Sequence, residues 1–442
     1  MSTLEKLRAG EMIGATRLQL ACGLTEFPRE IFELADTLEI LDLSGNALSS
    51  LPDDLPRLHK LRIIFCSDNQ FTELPEILGA CPALSMVGFK ANRIRTVSGK
   101  ALPVQLRWLV LTGNEIEELP SELGARPLLQ KLMLAGNRLR ALPAELANCQ
   151  RLELLRIAAN RLTELPVWLP SLPRLAWLAY AGNVFCAELE HASPDAEINW
   201  NQIRLQHKLG EGASGVIYRA EYLKSPKNAP VAVKLFKGAM TSDGSPLCEM
   251  AACIAAGPHP NLIPILGEVK GHPDGTHGLV MSLIEPDFGN LAGPPSLDSC
   301  TRDVYPDGKR FSLPATLAIA AGIASAAKQL HQRGIMHGDL YGHNILHCGE
   351  GRTLLGDFGA ASFYAPEGPH AASLQRLEVR AFGCLLEELL ERCDAPPAAR
   401  PILDRLAALQ AACLAHSAAR PLFSDIDAQL ASLRKAALDN SF

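Results

Sequence analysis

The chain has 442 residues, 48% of them apolar and 20% charged, with a formal net charge of -6. That length supports two domains with separate cores, and the balance is that of a globular chain, which excludes wholesale disorder. No basic run stands out and no stretch of about 18 uncharged apolar residues occurs, so neither a nucleic-acid footprint nor a transmembrane helix is expected.

The first residues, MSTLEKLRAGEMIGATRL, contain no apolar core of signal-peptide length, so a cytoplasmic location is expected. Twelve cysteines are scattered without a C-x-x-C pair. Many sit in apolar runs and read as reduced core residues, with no zinc or disulfide framework.

The N-terminal half repeats. Asn46, Asn69, Asn92, Asn114, Asn137, Asn160 and Asn183 recur at spacings of 23, 23, 22, 23, 23 and 23 residues. The surrounding text repeats with them: LEILDLSGNALSSLP, LQKLMLAGNRLRALP, LELLRIAANRLTELP. Leu41 and Leu43, like Leu132 and Leu134, alternate as in a short strand that buries its leucines. The Asn side chains can bond backbone groups of adjacent turns, where unpaired polar groups are costly. The Pro of each Leu-Pro starts the return segment, and stacked units make a core that none makes alone.

These units resemble the short leucine-rich repeats, about seven to eight of them over residues 1–190, with Gly23 replacing Asn in a worn first unit. The resemblance implies an α/β solenoid that binds a protein on its open strand face. Glu39, Asp42, Arg62, Lys90, Arg107, Trp108, Lys131, Arg156 and Trp177 fall at exposed positions of that face. A short polar linker is expected over 191–202, with Trp200 closing the repeats.

From Ile203 the period vanishes. LGEGASGVIY (209–218) is a glycine-rich run whose backbone can approach phosphates, with Gly210, Gly212 and Gly215 in the turn. Leu209 and Val216 flank it, Val216 to cover a base. VAVK follows as an apolar strand ending in Lys234, and Glu249 in LCEMAACIAAG is spaced to hold that lysine from the next helix. GLVMSLI brings Met281 to the back of the pocket and offers backbone groups over 282–284, around Leu283. HGDLYGHNIL then supplies His337, Asp339 and Asn344, and thirteen residues past Asn344 comes Asp357 in GDFGAA. One carboxylate to take a hydroxyl proton, with an amide and a second carboxylate for metal, is what phosphoryl transfer needs.

Residues 203–436 thus resemble the eukaryotic-type protein kinases, an α+β bilobal fold. The resemblance implies ATP with Mg²⁺ or Mn²⁺, a Lys234–Glu249 ion pair, Asp339 as catalytic base, and Asn344 and Asp357 as metal ligands. Val216, Ala232 and Leu346 would sandwich the adenine, and His337 and Phe358 would be structural. Glu367, in Ala365-Pro366-Glu367, would pair with Arg420, and LEVRAFGCLLEELL would be the buried helix of the second lobe, with Glu378 replacing the family's aspartate.

Three positions depart from that pattern. Gly338 replaces the family's Arg before the catalytic Asp, only nine residues separate Asp357 from Glu367, and Tyr341 replaces the lysine of serine/threonine kinases. The first two agree, because a short segment offers no phosphate for an Arg to receive. Activity independent of activation-segment phosphorylation is the expectation. H-G-D-x4-N also resembles the loop of aminoglycoside and choline phosphotransferases, and a pseudokinase scaffold is the non-enzymatic alternative. An ATP-dependent protein kinase, serine/threonine before tyrosine, is the function implied.

Overall fold

A computed structural model describes residues 2–190, 196–224, 229–238, 240–241, 243–349 and 351–439. Contacts divide the chain into two units: Met1–Arg174 with Asn183–Phe185, and Leu175–Gly182 with Cys186–Phe442.

In the first unit, helix α1 (Thr3–Arg8) is closed by a capping box in which Ser2 and Glu5 satisfy each other's amides. Seven three-residue strands follow: β1 (Arg17–Gln19), β2 (Ile40–Asp42), β3 (Ile63–Phe65), β4 (Met86–Gly88), β5 (Trp108–Val110), β6 (Lys131–Met133) and β7 (Leu154–Arg156). They pair in parallel in chain order. Leu41, Leu43, Leu132 and Leu134 are wholly buried, as the L-x-L alternation requires. Pro28, Pro75, Pro120 and Pro143 each cap a 3-10 turn on the return side.

The asparagine ladder is present. Asn114 Nδ2 donates to the carbonyls of Phe89 and Leu111 at 2.9 Å, and its Oδ1 accepts from the Ile94 amide at 3.0 Å. Asn69, Asn92, Asn137 and Asn160 repeat the pattern. Asn114→Ala strands the buried Ile94 amide and removes one of two donors from each of the Phe89 and Leu111 carbonyls, so urea unfolding should show a loss of about 1–3 kcal/mol. Arg95→Ala, which breaks only the exposed pair with Glu115, should cost less than about 1 kcal/mol.

Among the residues expected on the open strand face, Arg62 is exposed and Lys131 lies over the Trp108 ring at 4.3 Å. Arg156 and Trp177 are instead buried, 1% and 2% exposed.

The second unit begins with β8 (Trp177–Ala179), the eighth strand of the repeat pattern, whose contacts place it here. β9 (Glu197–Asn199) pairs in parallel with β13 (Ile265–Lys270). It joins a sheet of order β10-β11-β12-β14-β13-β9, with β10 (Ile203–Glu211), β11 (Gly215–Tyr222), β12 (Ala229–Phe236) and β14 (Gly278–Ser282). Ala220, Val231, Val233 and Val280 form its core, and Trp200 packs on that cluster. Trp200 therefore belongs to the second unit and does not close the repeats. The linker expected over 191–202 lies outside the described residues up to 195, and its remainder holds β9 and a 3-10 turn.

Helix α2 (Pro246–Ala256) starts at the Ser245 cap, with proline in its first turn where no amide is lost, and stops at Gly257, φ 65°. The second lobe is built on α3 (Leu313–Gln332), α4 (Ala371–Glu391), α5 (Arg400–Leu414) and α6 (Phe423–Asp439). α3 is long and apolar enough to cross a membrane, a helix the sequence reading did not anticipate. Yet 67% of its apolar window is buried inside this unit, as a core helix would be.

Candidate active site

Cross-strand pairing builds the first half of the site. Ile217 lies opposite Lys234, and Lys234 opposite Leu279, so the three share one sheet face. Arg219, Ala232 and Met281 share it too. Val216 pairs with Leu235 and therefore points to the other face. Val216, expected to cover a base, does not line the cavity on this face; Ile217 does, with Lys234, Glu249, Leu279, Met281 and Phe358.

α2 carries Glu249 into that cavity, where it forms a salt bridge with Lys234. Glu249 is 2% exposed, so it is no surface residue. Burial pushes its carboxyl above the usual range, against the pull of the Lys234 charge. Gly210 and Gly212 face open space, where an added Cβ meets nothing within 4 Å. Gly215 cannot carry a side chain, since its Cβ would lie 2.5 Å from the Leu235 carbonyl. Leu209 is 47% exposed in β10, while Leu283, just past β14, and Leu346, two residues after Asn344, are half-buried; none of the three lines that cavity.

The second half comes from two loops, one before and one after the hairpin of Ile345–Cys348 with Arg352–Leu355. Asn344 Nδ2 donates to Asp339 Oδ2 at 2.8 Å and to the Asp339 carbonyl at 2.9 Å. Asp357 is exposed and sits at φ 53°, a left-handed backbone that costs a non-glycine residue roughly 1–2 kcal/mol. Its Oδ1 accepts from the Gly359 amide at 3.1 Å. Strain of that kind concentrates where a side chain must be aimed.

His337 is wholly buried. Its Nε2 lies 2.9 Å from the Gly356 carbonyl and its Nδ1 accepts from the Asp339 amide, which fixes the Nε2–H tautomer. Its ring lies 5.0 Å from Phe358. His337 therefore braces the loop against the Asp357 turn and is no general base.

Two supports were not visible as such in the sequence. Glu378 of α4 accepts from the amides of His337 and Gly338 and from His331 Nε2 at 2.7 Å. Burial resists its charge, but those donors outweigh it and hold the carboxyl below its usual range. Asp303 holds His343 through Nδ1 at 2.6 Å and through the backbone amide at 3.0 Å, which fixes the residue before Asn344. Burial opposes a charge on His343, yet Asp303 outweighs it and raises the imidazole above its usual range.

The segment after Asp357 is compact. Ser362–Phe363 pairs antiparallel with Ile335–Met336. The Glu367–Arg420 pair implied by the family pattern does not form. The short segment leaves Glu367 in an exposed turn with no ion pair among the described residues. Arg420 is buried and donates to the carbonyls of Ala415 and Arg376.

The donors fit a nucleotide with its metal. Asn344 and Asp357 offer hard oxygens, the type Mg²⁺ prefers, and two protein ligands suit an ion that shares its shell with phosphates. No cluster of three or more His, Cys, Asp or Glu side chains that could cage a metal alone occurs among the described residues. The open space at Gly210 and Gly212 suits close approach of phosphates to backbone.

Residues 203–380 match the family model for protein tyrosine and serine/threonine kinases, and residues 37–58 match the leucine-rich repeat. Over 159 residues the chain is 25% identical to a probable serine/threonine-protein kinase of Arabidopsis thaliana, covering 36% of this chain and 20% of that protein. It is 31% identical to the proto-oncogene serine/threonine-protein kinase mos of Rattus norvegicus, covering 37% and 48%. The match spans less than half the length of each relative. A leucine-rich-repeat protein structure from Leptospira interrogans aligns at 29% identity and TM-score 0.37, covering 40% of this chain and 45% of that one.

Proposed function

We propose that this chain, leucine-rich repeats joined to a kinase-family domain, is an ATP-dependent protein kinase acting on serine or threonine hydroxyls. The observation that carries the reading is the joint presence of the buried Lys234–Glu249 pair, the Asn344-braced Asp339 and the exposed Asp357. In the reaction the acceptor oxygen forms a bond to the γ-phosphorus as the bond to the β–γ bridging oxygen breaks, releasing ADP. Asp339 accepts the hydroxyl proton, and Asn344 Nδ2 on Oδ2 holds that carboxylate in line. Lys234, held by Glu249, steadies the nucleotide phosphates. Mg²⁺ or Mn²⁺ held by Asn344 and Asp357 would supply charge neutralisation.

The repeats hold a protein substrate or regulator in this reading, supported by charged and aromatic side chains such as Arg62, Trp108 and Lys131 on the strand face. That none of the twelve cysteines is in a disulfide supports a reducing, cytoplasmic setting.

The test is to incubate the full chain with γ-labelled ATP and Mg²⁺, offering either generic protein acceptors or aminoglycosides and choline. Label on protein serine or threonine is expected; label confined to the small molecules would refute the reading. Ser362 is wholly buried, so phosphosite mapping of active protein should find it unmodified. A stoichiometric phosphate there, required for turnover, would contradict this.

A further inference from the structure

Within the second unit, Leu175–Gly182 brackets the catalytic loop. Trp177 Nε1–H donates to the Leu340 carbonyl at 3.2 Å, and its ring lies flat on Tyr341, centroids 4.2 Å apart and planes 6° apart. The Leu178 carbonyl sits 2.7 Å from where a Gly338 Cβ would be. These contacts touch the residues on both sides of Asp339.

The same segment reaches past Asp357. The amides of Tyr180 and Ala181 both donate to Ser362 Oγ, at 2.9 and 3.2 Å, and that hydroxyl donates to the Ala360 carbonyl at 3.3 Å. The contact also runs forward. Tyr341 lies 5.0 Å from the His343 ring, and His343, clamped by Asp303, precedes Asn344.

Where a phosphorylated residue orders an activation segment, an Arg beside the catalytic Asp and an accessible hydroxyl are needed. Here residue 338 is glycine, and the Ser362 hydroxyl is buried and already bonded on both sides. An indole ring and two backbone amides occupy the place where that ordering is needed, while the Lys234–Glu249 and Asp339–Asn344 pairs stand assembled.

We propose that Trp177 is a positioning residue for the catalytic loop, and that Leu175–Gly182 is the built-in substitute for a phosphorylated activation segment. The consequence for activity rests on the kinase reading above; the consequence for loop order does not. A ring on Tyr341 and a donor on the Leu340 carbonyl fix the chain on the far side of Asp339. The two amides on Ser362 fix the strand that follows Asp357. Loss of the indole frees the first directly, and loosens the second because both are held by one short segment.

The test uses the full chain with Trp177→Ala and Trp177→Phe, the latter keeping a stacking ring without the N–H. In Trp177→Ala the turnover number should fall at least about tenfold while KM for ATP moves less than about twofold, the signature of a misplaced catalytic loop. Trp177→Phe should fall between that and wild type. Amide hydrogen exchange should rise in Trp177→Ala across 338–341 and 360–364, and stay unchanged in α6. Turnover within about twofold of wild type, increased turnover, or unchanged exchange would each overturn the proposal. If the wild type transfers no phosphate to any acceptor, the kinase reading fails, and the exchange measurement alone decides the positioning claim.

Discussion

Asp339→Asn should lower phosphoryl transfer by about 10²–10⁴-fold, the range over which a positioned general base acts, with ATP affinity within about twofold of wild type. The substitution is isosteric. Its side-chain oxygen can still accept from Asn344 Nδ2, now at 2.8 Å, and the Asn344 bond to the residue's carbonyl is untouched. The nucleotide side, with Lys234, Glu249 and the glycine turn, lies on other elements. What disappears is the ability to take the acceptor's proton. Nucleotide binding by fluorescent ATP displacement, measured beside turnover, separates the two. A parallel loss of ATP affinity would mean that Asp339 organises the phosphates and does not serve the acceptor.

Gly338→Arg, which restores the residue usual in protein kinases, should abolish activity and destabilise the fold by about 2–5 kcal/mol. Two costs combine: roughly 1–2 kcal/mol for a side chain at φ 74° and about 1–3 kcal/mol for overpacking. A Cβ there would stand 2.4 Å from the Ala360 carbonyl and 2.7 Å from that of Leu178. Both obstacles are backbone, so neither can swing aside. Gly338→Ala should carry most of the penalty, because the clash begins at Cβ and not at the guanidinium. Thermal unfolding of the three proteins checks this; an Arg variant as stable and active as wild type would show the loop free to rearrange.

The repeat unit was almost wholly legible in the sequence because its signal is periodic. Each Asn sits about 23 residues from the next, and the structure repeats one set of bonds at each. Asp339, Asn344 and Asp357 stood out as candidates because phosphoryl transfer constrains residue type and spacing together. Val216 shows how narrow such reasoning is: the residue lining the cavity is Ile217, one position later, and one position in a strand reverses the face.

Trp177 was read as an open-face residue because the repeat pattern assigns it there. Its actual neighbours, Leu340 and Tyr341, lie more than 160 positions further along the chain. Asp303 sits in an irregular stretch and meets His343 across 40 positions, with no periodicity to announce it. Glu378 was noticed only as a departure, yet its longer reach lets it bond both the loop amides and His331. Local pattern carried the chemistry, while the supports of that chemistry depend on contacts far apart in sequence.

The most direct measurement compares the wild-type full chain with Asp357→Ala under γ-labelled ATP, Mg²⁺ and protein acceptors. Phosphoserine or phosphothreonine formed by the wild type, and lost in Asp357→Ala while ATP still binds, is the expected result. Equal labelling by both proteins, or ATP binding without transfer by the wild type to any acceptor, would contradict a phosphotransferase centred on Asp339, Asn344 and Asp357.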